Sequence, residues 1–134
     1  MFATVSGQSQ NKTRDTLYFE ILCGFGAQTS KAIQTFKTIV ELNDTAVIQN
    51  KLFADSKLEQ VLAAITLRYY KTTSPLRLTE SQEKKIQEIS RFKDKFSLCF
   101  TCTFHQKGTV KELFNGKNYS GSYSIIESFL SNRL

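Results

Sequence analysis

Two stretches of alternating residues, 16–25 and 96–104, lie on either side of a long segment in which apolar residues recur at helical spacing. In residues 16–25 and again in 96–104, every second residue is apolar, with Phe, Leu, Ile and Cys predominating. A period of two is typical of a strand that buries one face. Because strands and helices are segregated along the chain, we predict the α+β class and not a series of βαβ units.

Between the strands, apolar residues recur every three or four positions in segments that begin at capping residues. Ser56 with Glu59, and Thr79 with Gln82, fit the capping-box pattern at the start of a helix. The segment that follows Ser56 has the widest apolar stripe, which indicates a helix buried on several sides. Four or five helices are predicted, beginning near Ser30, Thr45, Ser56, Thr79 and Ser122 and including segments 56–71, 80–94 and 122–134.

The segment 96–114 has the clearest hairpin pattern in the chain. Residues 105–108 are typical of a turn, and 109–114 are predicted as the returning strand. With the N-terminal strand, this hairpin predicts a small antiparallel sheet of about three strands covered by the helices. The order helix, connection, helix, hairpin also fits a winged-helix-like arrangement, in which the turn would be the wing.

One globular domain is predicted for residues 16–134, and residues 1–15 are predicted to be a flexible N-terminal arm. A chain of 134 residues with 40% hydrophobic residues is large enough for a single core. No apolar run approaches the roughly 20 residues needed to span a membrane. The predicted core residues are Phe19, Ile21, Ile33, Phe36, Leu58, Leu62, Ile65, Phe100, Phe104, Ile126 and Phe129.

The chain contains three cysteines. An odd number argues against a disulfide framework and for a reducing compartment, so free thiols and a cytoplasmic location are predicted. A tetrahedral metal site built from Cys23, Cys99, Cys102 and His105 is a weaker alternative. Strand alternation places Cys99 and Cys102 on opposite faces, which separates such ligands. We therefore predict no bound metal and no other cofactor.

The net charge of the protein comes entirely from its second half. Residues 1–67 contain six basic and six acidic residues, whereas residues 68–134 contain twelve and six. A basic surface attracts polyanions, so the favoured function is non-catalytic, regulatory binding of nucleic acid, either DNA or RNA. The predicted phosphate contacts are Arg68, Lys71, Arg77, Lys84, Lys85, Arg91 and Lys107.

Three alternatives stay open at this point. Glu80 and Glu88 flank Lys84 on the helix over 80–94, and such a mixed stripe is also typical of a solvated helix face. The second alternative is a protein-interaction module or regulatory subunit that binds an acidic partner, with the helix over 122–134 as a homodimer contact. The third is an enzyme that uses His105, the only histidine, as its base, although no acidic residue lies near it in sequence.

Overall fold

The computed structural model describes residues 16–23, 29–74, 76–100, 104–115 and 120–131. These residues form a three-stranded sheet and six helices, which confirms the α+β class. The strands are β1 (Leu17–Ile21), β2 (Lys95–Phe100) and β3 (Phe104–Thr109). The helices are α1 (Lys31–Glu41), α2 (Thr45–Lys51), α3 (Lys57–Thr73), α4 (Glu80–Ile89), α5 (Val110–Asn115) and α6 (Ser120–Leu130). The predicted N-terminal arm lies outside the described residues.

The sheet has the order β1-β2-β3 and is mixed, which corrects the expectation that it is antiparallel throughout. β1 runs parallel to β2 with Leu17 opposite Phe96, whereas β2 and β3 are antiparallel with Phe100 opposite Phe104. A parallel pair needs a long crossover connection, and α1 to α4 provide it between β1 and β2. The helical stretch between the two alternating segments is therefore long enough to permit their parallel pairing.

The predicted hairpin is shifted along the chain. Residues 105–108 lie within β3, so the prediction that they form a turn or a wing is wrong. Residues 110–115 form α5, so the predicted strand over 109–114 is also wrong. The cause is a capping box: Thr109 Oγ1 accepts a hydrogen bond from the Glu112 backbone N–H at 3.2 Å, and Glu112 Oε1 accepts one from the Thr109 N–H at 2.9 Å.

The predicted helix starts near residues 56 and 79 are confirmed. Thr79 forms a full capping box with Gln82, with hydrogen bonds of 3.1 and 3.0 Å. Ser56 Oγ accepts from the Glu59 N–H at 3.3 Å, while the Glu59 carboxylate forms an ion pair with a lysine of α2. α4 ends at Ile89, short of its predicted limit, because the chain turns there to enter β2.

One hydrophobic core lies between the inner face of the sheet and the helices. α3 contributes most to it, since all of residues 60–67 are buried. Leu58 and Phe100 are partly buried against this core, and the side chain of Phe104 is not among those described. The predicted core residues that are buried are Phe19, Ile21, Ile33, Phe36, Leu62, Ile65, Ile126 and Phe129.

The apolar stripe of α6 packs inside the chain. Ile126, Phe129 and Leu130 are all buried in the core, so the face expected to contact a second copy is used within the chain itself. Lys37 of α1 holds the end of this helix, because its Nζ donates to the Phe129 carbonyl at 2.6 Å and lies 4.5 Å from the Phe129 ring centroid. None of the described helices is long and apolar enough to cross a bilayer.

Candidate functional site

The sheet has one buried face and one face that is open in the described part of the chain. Phe96 and Leu98 of β2 point into the core, so Ser97 between them points outward. Tyr18 is opposite Ser97 on one side and Lys107 is opposite it on the other, which places the three side chains in one row across the sheet. Tyr18 is 59% exposed, so its ring is available to a ligand.

Lysines gather where β2 begins and β3 ends. Lys95 is opposite Thr109, and it therefore lies diagonally next to Lys107 on the open face. The Lys111 backbone N–H donates to the Phe92 carbonyl at 3.0 Å, which holds the start of α5 against the segment leading into β2. We refer to the four exposed lysines of this region as the basic edge: Lys93, Lys95, Lys107 and Lys111.

The carboxylates nearest to the basic edge are engaged by other groups. Glu112 accepts hydrogen bonds from both the N–H and the hydroxyl of Thr109, at 2.9 and 3.2 Å. Asp94 has a side chain that is only 8% exposed, and it pairs with Lys57 at 3.0 Å. Within the described ranges, the lysines of the basic edge take part in none of the ion pairs. Among the residues that the structure describes, the basic edge is therefore a group of four lysines outside any ion pair, and it is locally positive.

A shallow depression connects the basic edge to the open face of the sheet. Its volume is about 580 Å³, and its lining includes Tyr18, Lys95, Ser97, Lys107 and Thr109. Volumes of this order hold small organic ligands in proteins. Hydroxyl and ammonium groups are hydrogen-bond donors to phosphate and sugar oxygens in nucleic-acid complexes. The depression thus combines an exposed aromatic ring with groups that can bind phosphate.

Two of the predicted phosphate contacts form ion pairs within the chain. Lys71 of α3 pairs with Glu83 of α4 at 2.9 Å. Lys85 pairs with Glu88 one helical turn away at 3.6 Å. Phosphate would have to compete with these carboxylates, although exposed ion pairs contribute at most about 1 kcal/mol.

Arg68, a third predicted contact, packs on an aromatic pair. Its guanidinium carbon lies 5.3 Å from the Phe114 ring centroid and 5.7 Å from that of Tyr123, which is cation–π range. Burial raises the pKa of the Tyr123 hydroxyl; Arg68 opposes this rise and Glu127 adds to it. Arg68 therefore helps to hold α5 and α6 against α3.

The remaining predicted contacts lie in three places. Lys84 and Arg91 are exposed and line a second shallow depression together with Lys93 of the basic edge. Arg77 is exposed in the connection before α4, where its carbonyl accepts from the Gln49 side chain at 3.5 Å. Lys107 lies on β3 within the basic edge. The structure thus brings Lys84, Arg91 and Lys107 into the neighbourhood of lysines that were not among the predicted contacts.

A disulfide joins Cys23 to Cys99, so the prediction of free thiols is wrong for this pair. By alternation alone, Cys23 would share the buried face of Phe19 and Ile21, whereas Cys99 lies on the open face with Ser97. Leu22 has a φ of 48°, which ends the alternation of β1 just before Cys23 and lets that residue reach Cys99. The bond also removes the argument for a reducing compartment that was based on the cysteine count.

The disulfide changes the candidate metal ligands as well. Neither bonded sulfur is a thiolate, which is the form that binds zinc. Cys102 lies outside the described residues, and His105 is exposed on β3 directly opposite Cys99. Glu20 lies on the other side of Cys99, so its Cα is about 10 Å from that of His105, or two strand spacings. In the described part of the chain, no three metal-ligating side chains come together.

The site that emerges is the basic edge with the adjoining open face of the sheet. Its distinguishing features are four exposed lysines and a depression lined by two of them, Lys95 and Lys107, together with Tyr18 and Ser97. Comparisons with protein-family models, with curated proteins and with solved structures find no match to this chain.

Proposed function

We propose that the protein is a non-catalytic nucleic-acid-binding protein and that the basic edge is its phosphate-binding surface. The observation that carries this proposal is the convergence of Lys93, Lys95, Lys107 and Lys111 beside carboxylates that already have partners. Lysines that contact phosphate release condensed counterions, and this release supplies most of the non-specific affinity for nucleic acid. The Ser97 hydroxyl on the open face would add a contact to a phosphate or sugar oxygen.

The proposed surface is centred closer to the sheet than the sequence predicted. Lys107 is kept as a primary contact, and Lys84 and Arg91 extend the surface through the depression that they share with Lys93. Lys71 and Lys85 become secondary contacts, because each must first leave a carboxylate partner. The proposal includes a regulatory role, in which the protein binds its nucleic-acid partner without changing it chemically.

A charge-reversal experiment tests this proposal. Affinity for fluorescent duplex and single-stranded oligonucleotides is measured by anisotropy for the unaltered protein and for Lys95→Glu/Lys107→Glu. The matched control is Lys31→Glu/Arg77→Glu, which changes the net charge equally at exposed positions. The proposed surface no longer includes Arg77, because it lies in the connection before α4 and outside the basic edge. We expect the first variant to lose at least tenfold in affinity and the control to lose much less. Equal losses, or no binding by the unaltered protein at low salt, would contradict the proposal and favour an acidic protein partner.

A cytoplasmic location belongs to the same proposal, because nucleic acid is concentrated there. Reducing compartments keep cysteine pairs as thiols, so Cys23 and Cys99 would be reduced in the cytoplasm and bonded in an oxidising compartment. Alkylation of intact cells before lysis, followed by mass analysis of the protein, reports which state exists. Three alkylated cysteines would support the cytoplasmic location, and protection of Cys23 and Cys99 would contradict it.

A further inference from the structure

We infer that the open face of the sheet binds a single-stranded nucleic acid, with a base stacked on Tyr18 and neighbouring phosphates on Lys95 and Lys107. This inference rests on the proposed function and specifies the form of its ligand. It starts from the fact that the basic edge is continuous with an exposed aromatic ring. The lysines attract an anionic polymer, and the tyrosine ring can stack on the flat bases that a nucleic acid carries.

The spacing of the row fits one nucleotide and its flanking phosphates. Tyr18 and Lys107 are on the outer strands with Ser97 between them, so their Cα atoms are about 10 Å apart. Lys95 lies two residues before Ser97 on the same face, about 7 Å along β2. A base over the Tyr18 ring would therefore have lysine ammonium groups within reach on the side of the basic edge, with the Ser97 hydroxyl beneath it.

The opposite end of the sheet limits where the ligand can lie. The next row on the open face contains Glu20, Cys99 and His105. The Glu20 carboxylate is exposed and repels phosphate. The ligand is thereby directed from Tyr18 toward the basic edge and away from Glu20.

A duplex fits this surface less well than a single strand. Duplex readers place a helix or a two-stranded ribbon in the major groove, and in a winged-helix-like order α4 would be that helix. Its exposed face presents Glu80 and Glu88 on either side of Lys84, so a duplex lying along α4 would meet two carboxylates beside this one lysine. An exposed ring on a sheet can stack only on a base that has left the helical stack, so it favours single strands.

Two substitutions at Tyr18 separate stacking from charge. Tyr18→Ala removes the ring, and Tyr18→Phe keeps it while removing the hydroxyl. When an aromatic side chain that stacks on a base is replaced by alanine, the affinity falls about 5- to 150-fold per base. Phe53→Ala is the matched control, because Phe53 is similarly exposed, at 52%, but lies beside α4. Thermal unfolding of each variant verifies that the fold is retained.

The affinities are measured by anisotropy with a 12-nucleotide polythymidine strand and with a mixed-sequence duplex of equal length at the same salt. We expect the single strand to bind more tightly, Tyr18→Ala to weaken it by at least fivefold, and Tyr18→Phe and Phe53→Ala to bind as the unaltered protein does. If Tyr18→Ala has no effect, or the duplex binds as tightly, while Lys95→Glu/Lys107→Glu still loses binding, the inference fails and the proposed function stands. If neither nucleic acid binds, the proposed function itself fails.

Discussion

Replacing Cys99 with serine measures how much the Cys23–Cys99 disulfide stabilises the fold. The two residues are 76 positions apart, so the bond closes a large loop in the unfolded chain. In the chain-entropy description, closing such a loop removes about 15 cal/mol/K, or about 4.5 kcal/mol at 25 °C. Measured contributions are commonly lower, at about 2–4 kcal/mol. Since a domain is stable by only about 5–15 kcal/mol, we expect Cys99→Ser to remove a large fraction of the total.

Urea unfolding followed by circular dichroism provides the assay. With a denaturant dependence of about 2 kcal/mol/M, a loss of about 2–4 kcal/mol lowers the unfolding midpoint by roughly 1–2 M. Dithiothreitol should shift the unaltered protein by the same amount and leave Cys99→Ser unchanged. Cys102→Ser is the control, because it keeps both bonded cysteines. Equal midpoints for the unaltered protein with and without reductant would refute this reasoning.

Two further outcomes follow from local contacts. Asp44→Ala should cost about 1 kcal/mol in urea unfolding, because Asp44 Oδ1 accepts from the Val47 N–H at 3.2 Å and caps α2, whereas Asp44→Asn should cost much less. Burial raises the pKa of Tyr123, so the folded state holds this proton when the unfolded state has lost it. The contribution of Tyr123 to the free energy of unfolding is therefore fully present below about pH 10 and is lost as the pH rises through the folded pKa. In unfolding curves recorded from pH 8 to 12, Tyr123→Phe should make the fall in the free energy of unfolding less steep.

The alternation of residues was a reliable guide to the buried face of the sheet. Phe19 and Ile21 are buried as predicted, because burial of one strand face depends only on a period of two. The disulfide escaped the same reasoning, since it depends on the left-handed backbone of Leu22, which interrupts that period. A leucine gives no sequence signal for this conformation, unlike glycine or asparagine.

The sequence does contain a signal for the correct position of the hairpin. Thr109 and Glu112 have the spacing of a capping box, the same pattern that correctly located α4 at Thr79. A helix that starts at this capping box ends β3 at Thr109 and places the turn of the hairpin closer to the N-terminus. The register of a hairpin follows from its turn, so the pairing of Lys107 with Ser97 could not be obtained once the turn was misplaced.

The sequence predicted only part of the candidate site, because it does not show which cations form ion pairs within the fold. Counting cations along the second half located a basic region, but it could not show which cations have partners. Lys71 and Glu83 are on different helices, and their ion pair exists only once α3 and α4 have packed together. Lys111 joins the basic edge because α5 begins beside the segment that leads into β2. The charge of the sequence therefore indicates the class of ligand. Ion pairs that form only in the folded protein decide which cations are available to bind it.

The salt dependence of binding tests the central claim most directly. The slope of log affinity against log salt counts phosphate contacts, at about 0.7 per contact for a single strand. Anisotropy titrations with a polythymidine strand are made from 50 to 300 mM salt for the unaltered protein, for Lys95→Gln/Lys107→Gln and for the control Lys31→Gln/Arg77→Gln. We predict that neutralising the two lysines of the basic edge reduces the slope by about 1.4, whereas the control leaves it nearly unchanged. An unchanged slope in Lys95→Gln/Lys107→Gln would contradict the assignment of the basic edge as the phosphate-binding surface.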